Sequence, residues 1–155
     1  MLKTGTGVSP MELALAQAEA AAGRGEVPVG AIIVDGATGI VLSAAGNRTE
    51  ELADPTAHAE VLAIRAACAV RCEPRLPDCD LYVTLEPCGM CAAAISFARL
   101  RRVYFGAYDV KGGGVEHGPR FFHQATCHHA PEIYGGLEER RAAELLKEFF
   151  RKRRL

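Results

Sequence analysis

An α/β sandwich on a mixed sheet is the fold class this sequence predicts, on three observations. Short apolar runs rich in β-branched residues alternate with helix-favouring runs. The first two apolar runs, Val29–Asp35 and Ile40–Ala44, are separated only by Gly36–Gly39, the pattern of a hairpin and so of an antiparallel pair. The later runs are separated by longer segments and need crossover connections, which gives the sheet its mixed character. With 155 residues the chain matches one ordinary domain, and 49% hydrophobic against 24% charged residues is enough to bury a core and excludes whole-chain disorder.

Each element has its own signal. Met11, Leu13, Ala14, Leu15, Ala18 and Ala21 lie in a helix over Pro10–Ala22, with Ser9 as N-cap, Pro10 at the first position and Gly23 as the stop. Pro55-Thr56 opens a second helix carrying Val61, Leu62, Ile64 and Ala67, which ends before Pro74. Leu81–Leu85 reads as a buried strand stopped by Pro87, Gly89–Leu100 as a third helix and Arg102–Gly106 as a strand with Val103, Tyr104 and Phe105. Lys111–Gly114 has no period and reads as a flexible loop. Glu132–Tyr134 forms a last strand before Gly135-Gly136, and Leu137–Arg151 is a helix holding Leu145, Leu146, Phe149 and Phe150. No internal repeat or linker breaks the order.

The formal net charge is −1, unevenly placed. From Arg140 onward, seven basic residues face only Glu144 and Glu148, a net of +5 against −6 for the remainder. A basic end on an acidic body suits a localised anionic contact, or simply a solvated helix end. No run approaches the ~20 apolar residues of a bilayer span, and Met1–Pro10 lacks the apolar stretch of a secretory signal, so the expected address is the cytoplasm. Of six cysteines, only Cys88 and Cys91 have metal-ligand spacing. Cys68, Cys72, Cys79 and Cys127 read as reduced structural thiols.

Two short motifs carry the chemistry: His58-Ala59-Glu60 at the start of one helix, and Pro87-Cys88-Gly89-Met90-Cys91 at the start of another. A Cys-x-x-Cys pair in a first helical turn meets unpaired N–H groups and the positive end of the helix dipole, which favour thiolates. With His58 it makes three ligands, and zinc with three protein ligands keeps a position open for water. Glu60 lies two residues from His58, about 200° around an ideal helix, yet in a first turn both can border one cavity. A carboxylate there can move the protons of a hydrolytic reaction. The competing readings are a redox Cys pair and a structural zinc knot, which would need a fourth ligand from His117, His123, Cys127, His128 or His129.

The runs Asp54–Glu60 and Leu81–Cys91 resemble the zinc-dependent nucleobase deaminases, and among them the bacterial enzymes acting on adenosine in tRNA. Agreement extends from Glu26–Ala31 through Arg102–Ala107 and again over Phe149–Arg154, which is most of the chain, and is loose over Val110–Ala130. The resemblance implies a single three-layer α/β/α, cytidine deaminase-like catalytic domain over 1–155, with about five strands and a basic helix from about residue 137. It also implies a homodimer. His58, Cys88 and Cys91 would hold one zinc per subunit, and Glu60 would shuttle protons as water displaces the amine at C6 of a flipped adenine.

In the same resemblance Asn47 contacts the target base, Asp109 and Lys111 line the groove for a tRNA anticodon loop, and Phe149, Phe150 and Arg153 hold flanking nucleotides. One of the two phenylalanines is expected in the core. Pro87 holds Glu86 extended, leaving nearby carbonyls to accept from the substrate amine. Two rival readings fit the same residues. One is a free-base or nucleoside deaminase of the same fold, acting on cytosine, cytidine or guanine without need of a basic tail. The other is a zinc-stabilised nucleic-acid-binding module without turnover, against which a buried, otherwise unemployed Glu60 argues.

Overall fold

A computed structural model describes residues 7–153. Met1–Thr6 of the N-terminal segment, and Arg154 and Leu155 of the basic end, lie outside the described residues. Along the chain come α1 (Pro10–Gly23), β1 (Gly30–Asp35), β2 (Val41–Gly46), α2 (Ala59–Arg71), β3 (Cys79–Leu85), α3 (Gly89–Ala98), β4 (Arg102–Ala107), a 3-10 turn (Phe121–His123), β5 (Glu132–Gly135) and α4 (Glu139–Arg153). The sheet order is β2-β1-β3-β4-β5. β1 pairs antiparallel with β2 and β3, whereas β3, β4 and β5 run parallel, so the sheet is mixed.

β1 shows why there are three layers. Ala31 and Ile33 join one apolar cluster with Ala63 and Ala67 of α2 and Ile95 of α3. Ile32 and Val34 join the other, with Leu15 of α1 and Ala142 of α4. A strand alternates its side chains between faces, so an unbroken apolar run demands cover on both. α1 sits close because Gly30 has no side chain: a Cβ there would lie 2.0 Å from the Ala14 carbonyl oxygen and 2.6 Å from the Ala18 nitrogen.

Local chemistry sets the ends of the elements. Ser9 caps α1, its Oγ accepting from the Glu12 N–H at 3.2 Å. The hairpin turn is held by Asp35 Oδ1, which accepts from the N–H groups of Ala37 and Thr38. α2 begins at Ala59, not at Pro55-Thr56 as the sequence suggested. Asp54 Oδ1 takes the Thr56 N–H at 2.9 Å and its hydroxyl at 2.7 Å. The Ala57 N–H goes to the Asp54 carbonyl and the His58 N–H to that of Thr56. This run of turns competes with the helix and leaves His58 as the cap residue.

α4 likewise starts two residues later than expected, after Glu138 at φ 55°, and continues to Arg153. Lys111–Gly114 is also not the free loop its composition suggested. The Gly113 N–H donates to the Asp109 carbonyl and the Gly114 N–H to that of Pro87, at 2.9 and 2.8 Å. The Pro87 carbonyl, one of those thought available to a substrate amine, is therefore already engaged. Among the described residues, no helix is long and apolar enough to cross a membrane.

Candidate active site

The N-terminal ends of α2 and α3 meet beside the sheet. His58 caps α2 and Cys88 caps α3, both in extended conformation. Their side chains face each other. His58 Nδ1 lies 3.7 Å from Cys88 Sγ and 3.4 Å from Cys91 Sγ. These three donor atoms all fall within 4.8 Å of one another. Ordinary Zn–S and Zn–N bonds arranged tetrahedrally put sulfur and nitrogen about 3.6 Å apart, so the donor set fits zinc in both chemistry and spacing.

The three groups share their protons unevenly. The Cys88 thiol is held down to about 4, first by the hydrogen bond from Cys91, then by His58, against the cost of burial. Cys91 is pushed up by that same bond and by its burial. His58 is raised, chiefly by its hydrogen bond with Cys88. A cation seated among these atoms replaces the shared protons, so binding releases them.

Glu60 is buried one residue into α2, and that burial raises its carboxyl above the ordinary value. Because His58 is the cap and not a helical residue, the separation expected on an ideal helix does not apply. The two side chains border one cleft of about 310 Å³, lined also by Val27, Val29, Asn47, Thr49, Leu85, Glu86, Cys88, Asp109 and Gly112. That is the lower end of the range for small-molecule sites, about 300–1,000 Å³, and suits one base better than a stretch of chain.

The structure thus brings together His58, Glu60, Cys88, Asn47 and Asp109, with Cys91 fully buried behind them. Asn47 follows β2, and its Nδ2 points to Glu26 Oε1 at 3.5 Å and Thr49 Oγ1 at 3.4 Å. Lys111 is exposed and does not line the cleft. Phe149 and Arg153 lie elsewhere, at a groove between α1 and α4 with Glu19, Ala22 and Leu145. The Arg153 guanidinium sits 4.2 Å from the Phe149 ring centre and donates to the Gly25 carbonyl at 2.6 Å. Phe149 is half-buried and Phe150 is 46% exposed, so neither joins an apolar core cluster.

Two residues of consequence were missed in the sequence: Glu26 and Glu86, both 2% exposed. Glu26 accepts from the N–H groups of Glu50 and Glu51 at 3.1 and 2.8 Å and fixes the segment after Asn47. The signal available was a lone glutamate beside apolar residues and a proline, Glu26-Val27-Pro28 and Leu85-Glu86-Pro87.

Residues 8–107 match the model of the cytidine and deoxycytidylate deaminase zinc-binding region, and the chain belongs to that family. Within it, the tRNA-specific adenosine deaminase of Agrobacterium fabrum is 61% identical over 145 residues, 94% of either chain. The Bacillus subtilis protein of the same name is 38% identical over 93% of this chain and 88% of its own. A structure solved in a study of A-to-I editing by tRNA:A34 deaminases at the wobble position superposes with TM-score 0.85 and 60% identity, covering 88% of this chain and 98% of the other. A guanine deaminase from Bacillus subtilis is more distant, at 31% identity and TM-score 0.63 over 94% and 92% of the two chains.

Proposed function

We infer that this chain is a zinc-dependent hydrolase that converts the wobble adenosine of tRNA to inosine. The observation that carries the reading is the convergence of Glu60, Asn47 and Asp109 on one base-sized cleft floored by the His58, Cys88 and Cys91 donors. The relatives named for this activity share most of the chain.

His58 Nδ1 and the two thiolates hold zinc, which when bound acts as the Lewis acid that makes water nucleophilic near neutral pH. The chain's own groups do the rest. Asn47, its Nδ2 turned to Glu26 and Thr49, presents its carbonyl oxygen to the base and sets the angle at which the purine enters. Glu60 takes the proton from the attacking water and passes it to N1 of the ring. It then takes the proton of the hydroxyl now on C6 and delivers it to the amine, which leaves as ammonia while C6 becomes a carbonyl, so adenosine and water give inosine and ammonia. Burial raises the Glu60 carboxyl above its ordinary value, which makes it a stronger proton acceptor.

An anticodon loop supplies such a base, because single-stranded nucleotides can be turned out of their stack at small cost. Asp109 at the cleft edge, Lys111 on the exposed loop and the basic face of α4 around Phe149 and Arg153 accept the flanking nucleotides and their phosphates. The enzyme works in the cytoplasm as a single catalytic domain spanning 1–155 and as a homodimer. The dimer is supported by α3, which exposes Met90 and, seven residues on, Phe97 at 70% exposure on the same helix.

The deciding experiment is turnover of an adenosine-containing anticodon stem-loop against free adenosine, cytidine and guanine, read as inosine, uridine or xanthine by mass spectrometry. Better turnover of the free compounds overturns the tRNA reading in favour of a small-molecule deaminase. A single sedimenting species of monomer mass at micromolar concentration overturns the dimer.

A further inference from the structure

We propose that Glu86 and His117 form a clasp that holds the 109–117 loop as one wall of the cleft, which makes Glu86 a positioning residue for the substrate base. This rests on the deaminase reading above and names a residue that the reaction itself does not require.

The Glu86 side chain is fully buried beside Pro87 and Cys88, and among the described residues its carboxylate's hydrogen bonds all go to this one loop. Oε1 accepts from the Asp109 N–H at 3.1 Å and lies 2.8 Å from His117 Nδ1. Oε2 accepts from the N–H groups of Val115, Glu116 and His117 at 3.2, 3.0 and 3.1 Å. Three successive amides on one oxygen form an anion-binding concavity, here filled from within the chain. With both oxygens so occupied, Glu86 has no capacity to shuttle protons, although it borders the cleft.

The loop needs such an anchor. Three consecutive glycines lose more backbone freedom on ordering than any other residues would. Gly113 and Gly114 are nonetheless required by space, not by unusual dihedral angles. A Cβ on Gly113 would lie 2.3 Å from Glu86 Oε2 and 2.4 Å from the Asp109 carbonyl, and one on Gly114 would lie 2.5 Å from the Gly89 nitrogen. The order then passes to the wall of the cleft. Asp109, held through its N–H, accepts from the Gly112 N–H at 2.9 Å, and both Asp109 and Gly112 line the site.

Glu86→Gln tests this selectively. An amide keeps one acceptor oxygen, which the three-amide concavity claims, and turns an NH2 group toward the Asp109 N–H, leaving that bond unmade. In E86Q, amide hydrogen exchange over 109–117 should quicken about tenfold, the effect of one lost hydrogen bond to a charged group. Exchange in α2 and α3 should not change, and zinc should remain at one per subunit. KM for the anticodon stem-loop should rise about tenfold with kcat within about threefold, the pattern of lost ground-state positioning.

His117→Ala removes one of the five contacts and should give a smaller effect in the same direction. Gly113→Ala pushes the loop away from an intact Glu86 and should reproduce E86Q. These two variants carry the test if E86Q does not fold. Unchanged exchange over 109–117 overturns the clasp. Faster exchange with unchanged KM, or a fall in kcat alone, overturns the positioning role. Wild-type protein inactive on every RNA would undo the deaminase reading, while exchange in the variants would still decide the clasp.

Discussion

Replacing Glu60 by glutamine separates proton transfer from every other property of the site. The side chain is 4% exposed, and glutamine has nearly its shape. Three carboxylates border the cleft, those of Glu60, Glu86 and Asp109. Glu86 is saturated by the 109–117 loop, and Asp109 Oδ1 is occupied by the Gly112 N–H. Glu60 is the carboxylate in hydrogen-bond contact with the Cys91 donor, beside the metal position where the attacking water would form. The loss should therefore fall near the top of the range for general acid–base catalysis, about 10³–10⁴-fold in single-turnover rate, or about 4–5.4 kcal/mol of barrier.

Stability should move the other way or not at all. Burial already disfavours the charged form of Glu60, and a neutral amide removes that penalty. Zinc content should stay at one per subunit, because the His58, Cys88 and Cys91 donors are untouched, and stem-loop affinity should be retained. The assay is inosine formed per enzyme by mass spectrometry, alongside elemental analysis and thermal unfolding of the same preparation. A rate within tenfold of wild type at full zinc occupancy would refute the relay. Loss of zinc would instead make Glu60 part of the metal's coordination.

The other predictions concern the metal, the basic end and the packing of α1. Cys88→Ala and Cys91→Ala should each purify with far less than one zinc per subunit and unfold at lower temperature, and a chelator should do the same to wild type; full zinc in both variants would contradict the ligand set. Deleting residues 151–155 removes four positive charges. It should flatten the salt dependence of stem-loop binding by about 0.7 per lost phosphate contact without altering zinc content, and an unchanged slope would dissociate α4 from the RNA. Gly30→Ala should cost about 1–3 kcal/mol through overpacking, roughly 2–4 °C in melting temperature per kcal/mol, because the added Cβ meets the backbone of α1. An unchanged melting temperature would show that α1 is not clamped to β1.

How far each feature was readable depends on how local its cause is. Ser9, Pro10 and Gly23 act within a few residues, and α1 ends within one residue of expectation. α2 was misplaced because two local signals compete at Pro55-Thr56, and the Asp54 side chain settles the contest for a turn. The fate of Phe149 and Phe150 depended on where α4 crosses α1, which helical spacing alone does not contain.

From its order of residues this chain determines the alternation of strands and helices, the hairpin that makes the sheet mixed, and the identity of His58, Glu60, Cys88 and Cys91 as a chemical set. These follow from periodicity and from side-chain types at short spacing. Tertiary structure alone decided that His58 Nδ1 stands within 4 Å of two thiols 30 and 33 residues away, and that Glu86 is spent on a loop up to 31 residues on. It also set Arg153 against Gly25, 128 residues distant. Such contacts arise when helices dock on both faces of the sheet and bring distant caps and loops together. A buried carboxylate then takes whichever donors the packing delivers, because leaving it unpaired is too costly.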